Sequence, residues 1–198
     1  MIITDVIVGG MFSGKTEETL RRLKRAKFAK KKILLALASI DDRPNRNIGT
    51  MAKEENWLGN YKHLHMGKVD SFSDLKILTE RYDPDILVID EVHLFKEWIV
   101  DFIKDIRFLE RYKNKNMRII VSGLDMDYMG KPYETTGLIM AMASDVQKLT
   151  AICKKCEDKP AMMTWKKPSA IQKNPDRIDV GESQYQPRCW ECYLLEEE

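Results

Sequence analysis

The run Ile2–Val8 reads as a strand and breaks at once into Gly9 Gly10 Met11 Phe12 Ser13 Gly14 Lys15 Thr16, the pattern Gly-x-x-x-x-Gly-Lys-Thr. A strand that ends in such a loop, with an amphipathic stretch from Lys15 to Lys30 behind it, is tightly constrained in what it can build. The glycines let successive backbone N–H groups converge on a phosphate, Lys15 adds a point charge, and the Thr16 hydroxyl is a Mg²⁺ ligand. Residues 9–16 are therefore expected to cradle a nucleoside triphosphate, and the surrounding fold is expected to be of the βαβ kind.

Downstream, short β-branched or apolar runs alternate with longer helical patterns. Strands are expected at Ile2–Val8, Ile33–Ala38, Tyr61–His65, Ile86–Asp90, Arg118–Ser122 and Lys148–Ile152, and helices at Lys15–Lys30, Phe72–Tyr82, Trp98–Lys113 and Tyr133–Ala143. This alternation predicts an α/β fold, a parallel sheet with helices on both faces. Composition changes after Ala151, where Cys, Pro, Lys and Trp dominate and helical periodicity ends, so the chain divides into 1–151 and 152–198. With 43% apolar and 32% charged residues it can bury one good core. It has no run of about 18 or more apolar residues and no signal-like N-terminus, so no membrane partner and a cytoplasmic location are expected. The net charge of +2 does not call for a nucleic-acid partner. The local basic run from Arg21 to Lys32 interleaves with Leu20 and Leu23 and reads as a solvated helix face.

The other half of a nucleotide site should come from a second strand. In Ile86 Leu87 Val88 Ile89 Asp90 Glu91, four apolar residues deliver a carboxylate at a strand's C-terminal end. Asp90 is placed to hold Mg²⁺ beside the phosphate loop, and Glu91 to act as a base on whatever attacks the γ-phosphate. Water as nucleophile would make an ATPase, and a substrate hydroxyl a kinase. Cys153-x-x-Cys156 and Cys189-x-x-Cys192 use every cysteine of the chain in two knuckles, the spacing of a closed, structural four-thiolate Zn²⁺ site. Two disulfides are the competing reading. His63 and His65 share one strand face and need no ligand, whereas His93 lies close enough in sequence to Glu91 to hydrogen-bond it.

Taken together, these segments resemble the zinc-containing thymidine kinase family nearly end to end. The resemblance rests on the phosphate loop, on Asp41 Asp42 Arg43 after the second strand, and on Asp90 Glu91 Val92 with Phe95. It extends to Gly123 Leu124 Asp125 Met126 Asp127 Tyr128 with Gly130 Lys131 Pro132 Tyr133, and to Tyr185-x-x-x-Cys189-x-x-Cys192-Tyr193. It implies a P-loop, RecA-like sheet domain and a small C-terminal zinc-binding domain whose lasso closes over the nucleoside. It further implies transfer of the γ-phosphoryl of ATP to the 5′-hydroxyl of thymidine or a related pyrimidine deoxynucleoside, with Mg²⁺, structural Zn²⁺ and a homotetramer. Glu91 would be the general base. Met11, Leu94, Leu124, Tyr128, Thr164, Val180, Gly181 and Tyr185 would contact the nucleoside, and Asp41 and Arg43 would lie in a flexible segment near the phosphates. Departures occur at His93 where the family has Gln, Leu94 where it has an aromatic, Met129 where Arg is common, and Pro44 where Tyr is common. They imply a pocket less strictly tuned to thymidine, as in a divergent viral or phage member. The alternatives are a nucleic-acid-stimulated P-loop ATPase with a zinc ribbon and a non-enzymatic zinc-ribbon module that uses nucleotide as a switch.

Overall fold

The computed structural model of the chain describes residues 1–41, 48, 60–108, 115–176 and 183–194. Arg43, Pro44, Val180, Gly181 and the expected helical residues 109–113 lie outside them. The main sheet comprises β1 (Ile2–Val8), β2 (Ile33–Ala38), β3 (Leu64–Val69), β4 (Ile86–Ile89), β5 (Met117–Gly123) and β6 (Asp145–Lys148). Its order is β3-β2-β4-β5-β1-β6, and every neighbouring pair is parallel.

Parallel strands buried on both faces read as continuous apolar runs, and the period of two assigns each residue to a side. Val6, Val8, Leu34, Ala36, Leu87, Ile89, Ile119 and Val121 face one core, together with Leu75, Ile99, Phe102 and Ile139. Those last four belong to α2 (Phe72–Tyr82), α3 (Trp98–Asp105) and α4 (Glu134–Met142). Ile7, Ile33, Leu35, Val88 and Ile120 face the other core, against Leu20, Leu23 and Ala26 of α1 (Lys15–Phe28). Helices thus cover both faces of the sheet. Truncating a fully buried strand residue such as Leu34 to Ala would remove about 2–5 kcal/mol through lost transfer energy and the cavity left behind.

The helices end where local chemistry ends them. Ser71 caps α2 by accepting a hydrogen bond from the Asp74 N–H at 3.1 Å, and Asp83 closes it in the left-handed region. Helix α1 starts differently: its cap residue is Gly14 at φ 83°, with no side chain bonded to the first amides. At its far end α1 stops at Phe28, two residues short of expectation, because Lys30 turns left-handed at φ 53°.

Two expected strands are displaced. The third runs Leu64–Val69 rather than Tyr61–His65, and the last strand of the main sheet is Asp145–Lys148 rather than Lys148–Ile152. Both are edge strands, partly wet and therefore polar, and their register is dictated by β2 and β1 rather than by an apolar run of their own. Ala151–Ile152 is instead a short strand, β7, paired antiparallel with β8 (Pro160–Ala161). A second antiparallel ribbon joins β9 (Met163–Lys166) to β10 (Tyr185–Arg188), flanked by α5 (Pro168–Lys173) and α6 (Trp190–Leu194). No helix among the described residues is long and apolar enough to cross a membrane.

Candidate active site and candidate metal centre

The loop after β1 has the backbone that phosphate binding requires. Gly9 sits at φ 150°, where a Cβ would lie 2.2 Å from the Leu149 carbonyl oxygen and 2.8 Å from Ser13 Oγ, so only glycine fits. The first α-helical bond of α1 is Glu18 N–H to the Gly14 carbonyl, which leaves the preceding amides directed out of the helix. Ser13 Oγ is buried and has no hydrogen-bond partner. An orphaned hydroxyl, free helical amides and a lysine in one turn suit an anion. The Lys15 ammonium donates to the Gly10 carbonyl at 2.8 Å. Desolvation lowers its pKa, while Glu91, Asp90, Asp125 and Glu17 pull in the opposite direction, so four carboxylates share the field of this cation. Phe12, at φ 65° and 48% exposed, is a left-handed non-glycine residue within the loop.

Asp90 follows β4 and is buried, accepting a 2.5 Å hydrogen bond from Ser122 Oγ at the end of β5. Glu91 is left-handed at φ 51° and caps the 3₁₀ turn Val92–Leu94. His93 Nδ1 accepts the Leu124 N–H at 3.1 Å, so its lone pair is committed there. At 3.6 Å from Glu91 Oε2 it is a neighbour of that carboxylate and not its hydrogen-bond donor. The hydrogen bond at His93 Nδ1 thus pins the β5–α4 loop, with the Glu91 carboxylate beside it. Leu94 is partly buried and packs on the edge of the larger core. Asp125 was not singled out as a site residue by sequence reasoning. It is buried, its Oδ2 lies 2.7 Å from Lys148 Nζ, and neither carboxylate oxygen has a partner of hydrogen-bonding geometry.

The β9–β10 ribbon comes against the phosphate loop. Met11 N–H donates to Thr164 Oγ1 at 3.0 Å, and a Cβ on Gly10 would come 3.3 Å from that hydroxyl. Alternation puts Thr164 and Lys166 on one ribbon face, and Tyr185 pairs directly with Lys166. Arg188 lies over the Trp165 ring at 3.8 Å. Tyr128 joins the ribbon from the β5–α4 loop: its hydroxyl donates to the Pro175 carbonyl at 2.8 Å, and its own carbonyl accepts the Tyr193 hydroxyl at 2.7 Å. Met11, Thr164, Tyr128 and Tyr185 are therefore held in one bonded neighbourhood, and Leu124 is tied to the Glu91 turn through His93. Asp41 is buried, and its carbonyl accepts Lys68 Nζ at 3.2 Å.

The four cysteines are free thiols whose sulfurs all lie within 4.8 Å of one another. Lys154 N–H donates to the Pro187 carbonyl at 2.8 Å and so joins the two knuckles. At Cys153 burial opposes ionisation, but backbone N–H groups of Cys156, Cys189 and Lys155 outweigh it and favour the thiolate. At Cys192 burial, then its thiol neighbours and the Cys153 charge, push the pKa up. Four converging sulfurs of which one ionises readily and another resists are a donor set completed by a cation, and an all-sulfur tetrahedral set fits Zn²⁺.

Residues 2–193 match the family model described as thymidine kinase. A thymidine kinase of Bacteroides thetaiotaomicron is 34% identical over 192 residues, covering 96% of this chain and 86% of that protein. One of Bacteroides fragilis is 33% identical over 190 residues, covering 96% and 85%. A phosphate loop, a strand-terminal acid pair and a cysteine-pinned ribbon in one sheet architecture, matched along almost the whole length, establish that the chain belongs to the thymidine kinase family.

Proposed function

We propose that the protein transfers the γ-phosphoryl group of ATP to the 5′-hydroxyl of thymidine or a closely related pyrimidine deoxynucleoside. The observation that supports this best is the Met11 N–H to Thr164 Oγ1 bond, which sets the phosphate loop directly against the ribbon carrying Tyr185. A phosphoryl donor and a nucleoside acceptor would then meet across that contact.

In this reading residues 9–16 hold the donor's phosphates through backbone amides, and Lys15 neutralises charge on the oxygens of the transferring group. Thr16 and Asp90 would hold Mg²⁺, which supplies further neutralisation of that charge. Glu91 accepts the proton of the 5′-hydroxyl as its oxygen bonds to the γ-phosphorus and the bond to the β-phosphate oxygen breaks, releasing ADP. Met11, Leu94, Leu124, Tyr128, Thr164 and Tyr185 would enclose the nucleoside and Asp41 would serve the phosphate side; the family resemblance gives Val180 and Gly181 the first role and Arg43 the second, though all three lie outside the described residues. Positioning carries most of the rate in such reactions, so a pocket on tied elements suits it. Residues 1–151 would form the P-loop kinase domain and 152–198 the zinc-binding and lasso domain, in a cytoplasmic homotetramer.

Incubation with ATP, Mg²⁺ and a nucleoside panel tests the reading. Thymidine monophosphate is the expected product, whereas phosphate release stimulated by DNA with no nucleotide product would replace this reading with the ATPase one. Light scattering is expected to report four chains per particle, and a monomer mass at working concentration would overturn the assembly.

A further inference from the structure

Lys166 is 2% exposed, among the most deeply buried side chains of the chain. An ammonium in such a place must be compensated by specific contacts. Three are in view. Its Nζ donates to the Asn174 carbonyl at 2.6 Å, lies 5.1 Å from the centroid of the Tyr128 ring and lies 5.6 Å from that of Tyr185. Both ring distances fall within cation–π range, and the interaction strengthens where the cation is desolvated.

These contacts bring together three parts of the chain that are far apart in sequence. Tyr128 comes from the β5–α4 loop, Tyr185 from the strand opposite Lys166, and Asn174 from the turn that ends α5. The next carbonyl, that of Pro175, accepts the Tyr128 hydroxyl at 2.8 Å, and Asn174 Oδ1 accepts the Asp176 N–H at 3.0 Å. Two consecutive carbonyls are thus captured, one by the lysine and one by a tyrosine whose ring the lysine also faces. Thr164, two residues before Lys166 on the same ribbon face, is bonded to the phosphate loop. One strand therefore carries a contact to the phosphate loop and, one step on, a cation between two aromatic rings.

We propose that Lys166 is a positioning residue for nucleoside binding: its buried ammonium fixes the Tyr128 and Tyr185 rings relative to each other and to the Asn174–Pro175 turn, so the acceptor meets a preformed aromatic wall. This rests on the nucleoside-kinase reading above. Preorganisation lowers the ordering cost of binding, so the effect falls on the acceptor and not on the phosphate donor. Lysine is needed for its charge, since an apolar side chain of similar length fills the space without holding either ring or the carbonyl.

The experiment compares Lys166→Met and Lys166→Arg with the parent. Calorimetry without turnover gives Kd for thymidine and for ATP, steady-state kinetics give the split between KM and kcat, and zinc content and thermal midpoint report the fold. Lys166→Met is expected to raise the thymidine Kd tenfold or more, leave the ATP Kd within about twofold, and keep one zinc per chain. Lys166→Arg is expected to recover most of the loss. A Met variant that binds thymidine as the parent does overturns the proposal, as does equal loss of both ligands with intact zinc. Should Lys166→Met fail to fold, Lys166→Gln, which keeps a donor for the Asn174 carbonyl but presents no cation to either ring, is expected to raise the thymidine Kd alone, and an unchanged Kd there overturns the proposal. A parent protein that binds ATP but no nucleoside removes the underlying reading itself, an outcome distinct from a parent that binds thymidine and a variant that does so equally well.

Discussion

Glu91 holds a left-handed backbone, at φ 51°, directly after the buried acid that follows β4. For a residue with a Cβ that conformation costs on the order of 1–3 kcal/mol and persists only where the surroundings enforce it, which is common at sites that place a reacting group. Glu91→Gln keeps the size and the backbone, so ATP and thymidine affinities should stay near those of the parent while kcat falls by roughly 10² to 10⁴, the share of a positioned base. Near-normal turnover in a rapid-quench assay would move the base elsewhere. Leu94, three residues on, packs on the edge of the core, at the position where the family resemblance leads one to expect an aromatic ring. A flat ring there is worth about 0.5–1.5 kcal/mol beyond its area, so Leu94→Phe should shift the ratio of kcat/KM for thymidine over deoxyuridine by roughly three- to tenfold. An unchanged ratio across thymidine, deoxyuridine and deoxycytidine would make Leu94 a core residue only.

At the level of elements, α1 is secured by a charge cluster. Glu18 accepts hydrogen bonds from Arg21 Nε at 2.6 Å and Arg22 Nε at 2.9 Å, and Arg22 reaches Asp5 of β1 at 3.2 Å and Gln147 of β6 at 2.7 Å. The Arg21 hydrogen bond is the chief cause holding the Glu18 carboxyl well below its usual 4.5, at about 2. A depressed folded pKa stabilises above the unfolded value and loses that contribution as pH falls through the folded one. Glu18→Gln should therefore cost about 1 kcal/mol near neutrality, discounted for partial solvent screening, and the cost should shrink below about pH 4.5 toward pH 2 in urea titrations. A constant difference across that range would assign the effect to packing. The elements also explain what the sequence could convey. Strands β1 and β2 and helix α2 were legible to the residue because both strands are dominated by buried apolar residues, Thr4 and Asp5 of β1 aside, and α2 carries its own serine cap. Strands β3 and β6 were not, because an edge strand borrows its register from a neighbour. The phosphate loop, the acid pair and the cysteine knuckles are local patterns and stand out. Ser122, Asp125 and Lys166 are ordinary residues until the fold brings them to Asp90, Lys148 and the two tyrosines.

At the level of the whole molecule, the cysteine cluster and the phosphate loop are each bonded to the β9–β10 ribbon, through Lys154–Pro187 and Met11–Thr164, so damage at one should be felt selectively at the other. Replacing Cys156 by Ser, or stripping the metal with a chelator, should raise the thymidine KM at least tenfold and loosen the C-terminal segment while ATP binding changes little. Elemental analysis of the parent should give one zinc per chain, and oxidised thiols without zinc would defeat this. The strand order has a quieter consequence. Because β5 lies between β1 and β4, the glycine-rich loop and the acid pair stand two strand spacings apart, about 10 Å. That span is a ruler graduated in peptide hydrogen bonds, and no side chain enters into its length. A chain that keeps this strand order therefore keeps the same spacing between the loop after β1 and the acid pair after β4, and is free to rewrite nearly everything that hangs from it.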